Sequence, residues 1–293
     1  MAKINWKRVF SNRAKRINRS KTGNAALFVV LMGFGAFSFL PLLLTLLQSI
    51  KPLNELYLYP PRFWVENPTA DNFFDLVDLL SDSWVPFSRY LFNTVLISVV
   101  GTVGHVILAS MCAYVLAKGN VPGGKLIFGI IVYSLMVQPT VADIANYQTM
   151  SSLKLVDTYW AILLPAFASS LGLYIMKNFI GQLPDALIEA AKLDGASEMR
   201  IFWTVVMPNA KPGWLTLAVF SFQALWNNTN STYIYKEELK PLSFALSQIV
   251  SGGIQRAGAG AAVAVVMMIV PIVVFIITQS NIMETMASSG MKE

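Results

Sequence analysis

The chain has 293 residues, 55% of them hydrophobic and 13% charged. Soluble domains carry about 25% charged residues, so an ordinary water-facing surface is excluded and a membrane protein is indicated. The single cysteine, Cys112, excludes an internal disulfide, and with one histidine, His105, a zinc site or a Cys–His nucleophile is not expected.

The net charge of +6 does not point to nucleic acid. Eight bases lie within the first 21 positions, with no acid among them, directly before a long apolar segment. That reads as a topology signal and a contact for anionic lipid headgroups. The first segment is too long for a cleavable signal, whose apolar core is about 7–15 residues.

Charge-free apolar runs give six expected spans: Thr22–Ile50, Tyr90–Ala117, Leu126–Ala142, Thr158–Met176, Pro212–Tyr235 and Ala257–Met283. Pro139 and Asp143 interrupt the third, as is tolerated where neighbouring helices re-satisfy the backbone. With the N-terminus inside, inner segments hold 15 Lys and Arg and outer segments hold seven, which fits the positive-inside bias. Both termini are then expected in the cytoplasm. The chain divides into a basic tail (1–23), a membrane domain (24–283) and a polar tail (284–293). Cys112 is expected to be buried packing.

Two connections are long enough to have a task. In the outer loop 51–89, Thr69 is placed to cap a short helix with Phe73, Phe74, Val77 and Leu80 on one side. Asp71, Asp75, Asp78 and Asp82 lie on another, either as a solvated face or as a rim for an extracytoplasmic partner. In the inner loop 177–211, Pro184 suits a first helical position, Asp185 complements the helix dipole, and Asp194-Gly195 ends the helix. Ser197 caps a second helix expected to end near Val206, just before Pro208. Ala186 and Ala190 share a face, which Ala191 widens, and small residues permit close backbone approach. Glu189 and Lys192 flank that patch. On physics alone this is a docking knob or a helix lying on the membrane.

The run Glu189-Ala190-Ala191, three residues, Gly195, nine residues, Val205-x-Met207-Pro208 resembles the EAA loop of binding-protein-dependent ABC importer permeases. Val205 and Met207 stand where that loop has Ile and Leu. "YLFNTVLISVV" (90–100), "LKLVDTYWAILLPAFASSLGLYIMKNF" (153–179) and "FSFQALWNN" (220–228) are similar to the carbohydrate-uptake, maltose-type branch, so the likeness covers roughly 25–283. The closing 279–293 resembles a sub-branch importing fragments of acidic or plant polysaccharides, alginate included.

The resemblance implies an all-α polytopic protein of type I ABC importer architecture with no covalent chemistry of its own. It implies a homologous second permease subunit, two ATPase subunits that bind ATP and Mg²⁺, an extracytoplasmic solute-binding protein and an oligosaccharide substrate. The 185–197 helix would be the coupling helix, with Glu189, Ala190, Ala191, Asp194, Gly195 and Pro208 matching motif positions. The site would be that of a bacterial inner membrane. No cofactor or metal is expected on this chain.

Gly119–Leu126 nearly fits G-x-x-x-x-G-K-[ST], but Leu126 lacks a hydroxyl for Mg²⁺ and Pro122 lacks a donor. It reads as a turn, so any ATP engine must lie on another chain. His105, at mid-span, is expected to bond between helices or to line a pore. Asp143, Asn146 and Tyr147 are pore-mouth candidates. Trp226, Asn227 and Asn228 offer an aromatic face and amides, the chemistry that sugars bind. Rival readings are an ABC permease for a non-sugar solute, an ion-driven transporter and a membrane scaffold or sensor. An ion-driven transporter usually carries acids or bases at mid-span, and these spans have only His105.

Overall fold

A computed structural model describes residues 21–60, 62–81, 85–137, 139–229, 232–253 and 256–289; most of the basic tail, Asp82 and the last four residues lie outside them. Among the described residues there is no strand. The helices are α1 (Lys21–Ser49), α2 (Leu53–Leu56), α3 (Asp71–Ser81), α4 (Phe87–Lys118), α5 (Gly124–Ser134), α6 (Pro139–Ser152), α7 (Trp160–Phe167), α8 (Ser170–Gly181), α9 (Asp185–Leu193), α10 (Glu198–Ile201), α11 (Lys211–Asn227), α12 (Leu242–Val250) and α13 (Ala257–Ser289).

Helix α4 is the axis of the bundle, packing most extensively on α8 and α11 and also on α7 and α12. Its pattern is inside-out relative to a soluble helix. Asn93, Thr94, Ser98, Thr102, His105 and Ser110 are buried, whereas Val95, Val99 and Val103 are exposed. Such a helix suits a hydrocarbon surround, where polar groups turn inward, away from lipid. Cys112, expected to be packing, is on the exposed side, because Ala113 and Tyr114 occupy the inward positions beside it.

The apolar runs fold as helices, with three differences from the expected spans. The third is two helices: α5 ends at Ser134 and α6 begins at Pro139. Proline removes a donor and clashes with the preceding turn. The fourth breaks between α7 and α8 at Ala168-Ser169, a few residues beyond Pro165. The fifth stops at Asn227, so α11 has 17 residues and spans about 26 Å, against about 30 Å of hydrocarbon. By length and composition, four stretches can cross a membrane: Thr22–Ser49, Phe87–Lys118, Trp160–Gly181 and Ala257–Gln279. Helix α13 runs through to Ser289, so the first part of the polar tail is helical.

At one end of the bundle, α3 and α12 pack on α13 through Leu76, Leu80, Leu246 and Ile249. Thr69 Oγ1 does accept from Asp71 N, at 3.1 Å. The buried face of α3 is Asn72–Leu76–Leu80, while Phe74 and Val77 are exposed. Asn72 decides this rotation, since its amide donates to Ser49 O at 2.9 Å and Lys51 O at 2.7 Å. At the opposite end, α9, α10 and the segment after them share one core with α4, α8 and α11.

Candidate functional site: a docked surface helix and an interior polar cavity

Two features are built where the sequence motifs fall. The first is α9. Pro184 stands just outside it as the N-cap, in extended conformation, rather than at the first helical position. Gly195 N donates to Lys192 O and Ala196 N to Ala191 O, both at 3.0 Å, with Gly195 at φ +77°. This is the paired-bond closure that requires a left-handed residue. The helix docks through buried Ile188 and half-buried Ala191. Ala191 therefore belongs to the seat and not to the outward patch. Ala186, Leu187, Glu189, Ala190, Lys192 and Leu193 face outward, and Leu193 is 89% exposed.

Ser197 Oγ accepts from Arg200 N at 3.4 Å, capping α10. The helix does not stop before Pro208. It continues as a π-helical stretch, Phe202–Val206, and one further turn, Met207–Asn209. The wider turn makes room for the proline ring, and Asn209 Nδ2 donates to Val205 O at 2.7 Å.

Ion pairs and hydrogen bonds brace this end. Lys118 Nζ donates to Leu183 O at 2.5 Å and to Asp185 Oδ1 at 2.7 Å. Glu198 pairs with Lys192 Nζ and accepts from Tyr114 Oη, both at 2.7 Å. The Lys192 ammonium first, and then the Tyr114 hydroxyl, hold the Glu198 carboxyl below its ordinary range.

The second feature is a cavity of about 280 Å³ between α4, α6, α7, α8 and α11. His105, Asp143, Asn146, Ser169, Ser221, Asn228 and Tyr233 supply its polar lining, and Ile162, Leu217 and Phe220 part of its apolar wall. His105 makes the interhelical bond expected of it and also faces this cavity. Its Nδ1 is 3.1 Å from Ser221 Oγ and its Nε2 3.3 Å from Ser169 O. Tyr147 is not part of the lining.

Of the trio 226–228, only Asn228 reaches this cavity. Trp226 is 3% exposed, stacks on Phe222 and donates Nε1 to Met267 O at 3.2 Å, so it packs α11 on α13. Asn227 Nδ2 donates back to Gln223 O at 3.0 Å, at the helix end. The turn Gly119–Gly124 has Gly123 at φ +74° and leads into α5. Among the described residues no cluster of three metal-ligating side chains occurs.

Sequence reasoning missed Tyr233, Ser169 and Ser221 in the cavity, and Tyr114, Lys118 and Glu198 beneath α9. Lys118 was visible only as a topology charge. The hydroxyls belong to a polar stripe whose direction needs the helix packing.

An all-helical bundle with inward polar stripes, a cavity carrying polar and apolar groups, and a docked surface helix is the architecture of a polytopic membrane protein. The chain matches the family "Binding-protein-dependent transport system inner membrane component" over residues 18–284 and belongs to it. Membership in this family of ABC importer permeases decides against the ion-driven and scaffold readings. The chain is 33% identical over 224 residues to Protein LplC of Bacillus subtilis (strain 168), covering 74% of this chain and 72% of that one. It is 30% identical over 181 residues to the polygalacturonan/rhamnogalacturonan transport system permease protein YtcP of the same organism, covering 57% and 63%. Its fold matches a chain of a bacterial ABC transporter involved in the import of the acidic polysaccharide alginate, with TM-score 0.73 at 22% identity, over 91% of this chain and 99% of that one.

Proposed function

We propose that this chain is the permease subunit of an ABC importer for oligosaccharides and that α9 is where a separate ATPase pushes on it. The observation that carries this is the setting of α9. It is fastened from below by Ile188 and Ala191 while Ala186, Glu189 and Ala190 face outward. A rigid, small-residue face with a carboxylate in it suits insertion into a cleft of another protein, because backbones can approach closely there.

On this reading ATP and Mg²⁺ are bound by two partner ATPase subunits, and this chain performs no hydrolysis. A homologous second permease completes the pathway, and an extracytoplasmic binding protein delivers the solute. The excess of basic residues on one side supports a cytoplasmic position for both termini and α9. The cavity lined by His105, Asn146, Asn228 and Tyr233 is then this subunit's share of the pathway. It combines amide, hydroxyl and aromatic groups suited to a polyhydroxylated solute. A sugar cargo is supported by the relative named for polygalacturonan and rhamnogalacturonan transport.

The test uses the complete transporter in proteoliposomes. Glu189→Lys and Gly195→Pro should each lower transport and receptor-stimulated ATP hydrolysis together, by about tenfold, the scale of ordinary coupling energies. The ATPase subunits should still assemble, at reduced affinity. Wild-type coupling in both variants would overturn the assignment. Screening which oligosaccharides make the binding protein stimulate hydrolysis identifies the cargo, and stimulation by none of them refutes the sugar reading.

A further inference from the structure

The proposed role of α9 leaves open which membrane helix receives its motion. We propose that α4 does, and that Tyr114, Lys118 and Glu198 are positioning residues that clamp both ends of α9 to it; this rests on the coupling role proposed above.

Tyr114 and Lys118 are four residues apart on α4 and so lie one above the other on the same face. Lys118 holds the start of α9 through Leu183 O and the Asp185 carboxylate, and its own side chain is only 9% exposed. Tyr114 holds the far end through Glu198, whose other oxygen pairs with Lys192 in the last turn of α9. The exposed Lys192–Glu198 pair alone would contribute little. Anchored to a buried tyrosine at its other oxygen, the same carboxylate becomes the middle of a three-residue strut.

Two attachments at opposite ends of a short helix prevent it from pivoting about either. A displacement of α9 must therefore displace α4. The other elements lining the cavity are poorer levers. The α5–α6 pair and the α7–α8 pair are each broken at mid-course, and α11 begins at a turn with Pro212 at its start. Helix α4 has 32 residues and no internal proline. From Lys118 it is about 20 Å along the axis to His105, which bonds Ser221 on α11 and Ser169 O at the entry to α8. The same helix thus joins the clamp to the cavity wall.

The experiment compares Lys118→Met, Lys118→Arg, Tyr114→Phe and Glu198→Gln in the reconstituted transporter, each carrying Leu193→Cys at the exposed end of α9 for cross-linking to the ATPase subunit and each judged against Leu193→Cys alone. Lys118→Met, Tyr114→Phe and Glu198→Gln should keep the cross-link and basal hydrolysis, while transport and receptor-dependent stimulation fall by about tenfold. Lys118→Arg, which keeps the cation, should restore most of both. Should Lys118→Met not assemble, Tyr114→Phe, which deletes one hydroxyl, carries the same test. Stimulation within about twofold of wild type in Tyr114→Phe and Glu198→Gln overturns the clamp, as does loss of the cross-link in them, which would make these residues part of docking alone. No cross-link even with Tyr114, Lys118 and Glu198 intact refutes the coupling role itself, a different result.

Discussion

Gly195 and Gly172 are both demanded by geometry, for different reasons. Gly195 has open space around a would-be Cβ, so only its φ of +77° penalises a side chain. Gly195→Ala should cost about 1–2 kcal/mol, and Gly195→Asn less, because Asn tolerates the left-handed region. Thermal unfolding of the purified permease in detergent checks the order. Gly172 sits against His105, and a Cβ there would lie 2.1 Å from Nε2. Gly172→Ala must push the ring off its two partners and into the cavity. It should lower transport more than stability, whereas Gly181→Ala, with open space beside it on the same helix, should do neither; paired transport and melting measurements separate these outcomes. The glycine and the histidine were both visible in the sequence. That they touch was not, because 67 positions separate them.

At the scale of elements, the loops are held by a few polar clamps on the bundle. Asn93 donates to Glu238 O at 2.8 Å and Lys240 O at 2.9 Å, and Thr94 Oγ1 accepts from Leu242 N at 2.7 Å, so α4 carries the segment before α12. Asp157 accepts from Tyr235 N at 2.6 Å and Lys236 N at 3.0 Å. The Lys236 and Tyr235 amides hold its carboxyl below its usual 3.8. A depressed carboxyl stabilises the fold above its unfolded value and loses that contribution as pH falls through the folded one. Asp157→Asn should therefore be less stable than wild type at neutral pH, by under about 1 kcal/mol at so open a site, and the gap should close below about pH 3.8. Denaturation against pH reads the sign; a gap that widens on acidification contradicts it. At the other end, Ile188 is the nail of α9, and Ile188→Ala should cost about 2–3 kcal/mol and raise proteolysis at 183–197.

For the whole molecule, the main question is what covers α1. Its apolar side chains are exposed from Leu27 to Leu42 and again at Leu46, and it touches the bundle mainly through α13. Such a surface is consistent with lipid. A truncation beginning after residue 50, which keeps the other membrane-crossing helices, should lose less detergent-extractable folded protein than a variant that breaks the α4–α8–α11 core. Leu217→Ala, at 1% exposure in that core, should cost about 2–5 kcal/mol and lower the yield of monodisperse permease in size-exclusion chromatography.

Hydropathy and turn chemistry determined the helical class, the approximate place of every apolar segment, and the start and stop of α9, because those depend on near neighbours in the chain. The EAA-like run at 189–195 could be read as a docking element before any packing was known. Tertiary structure decided what depends on direction. It buried Trp226, seated Ala191 half-buried against the core, turned Cys112 outward, rotated α3 about Asn72, carried helix through Pro208 by a π turn, and gathered His105, Asn146, Asn228 and Tyr233 around one cavity. A one-dimensional pattern gives the period of a helix. The azimuth at which each side chain meets its partners is set by contacts between segments far apart in the chain, 148 residues in the case of Thr94 and Leu242, and in a membrane protein the apolar face does not mark the core.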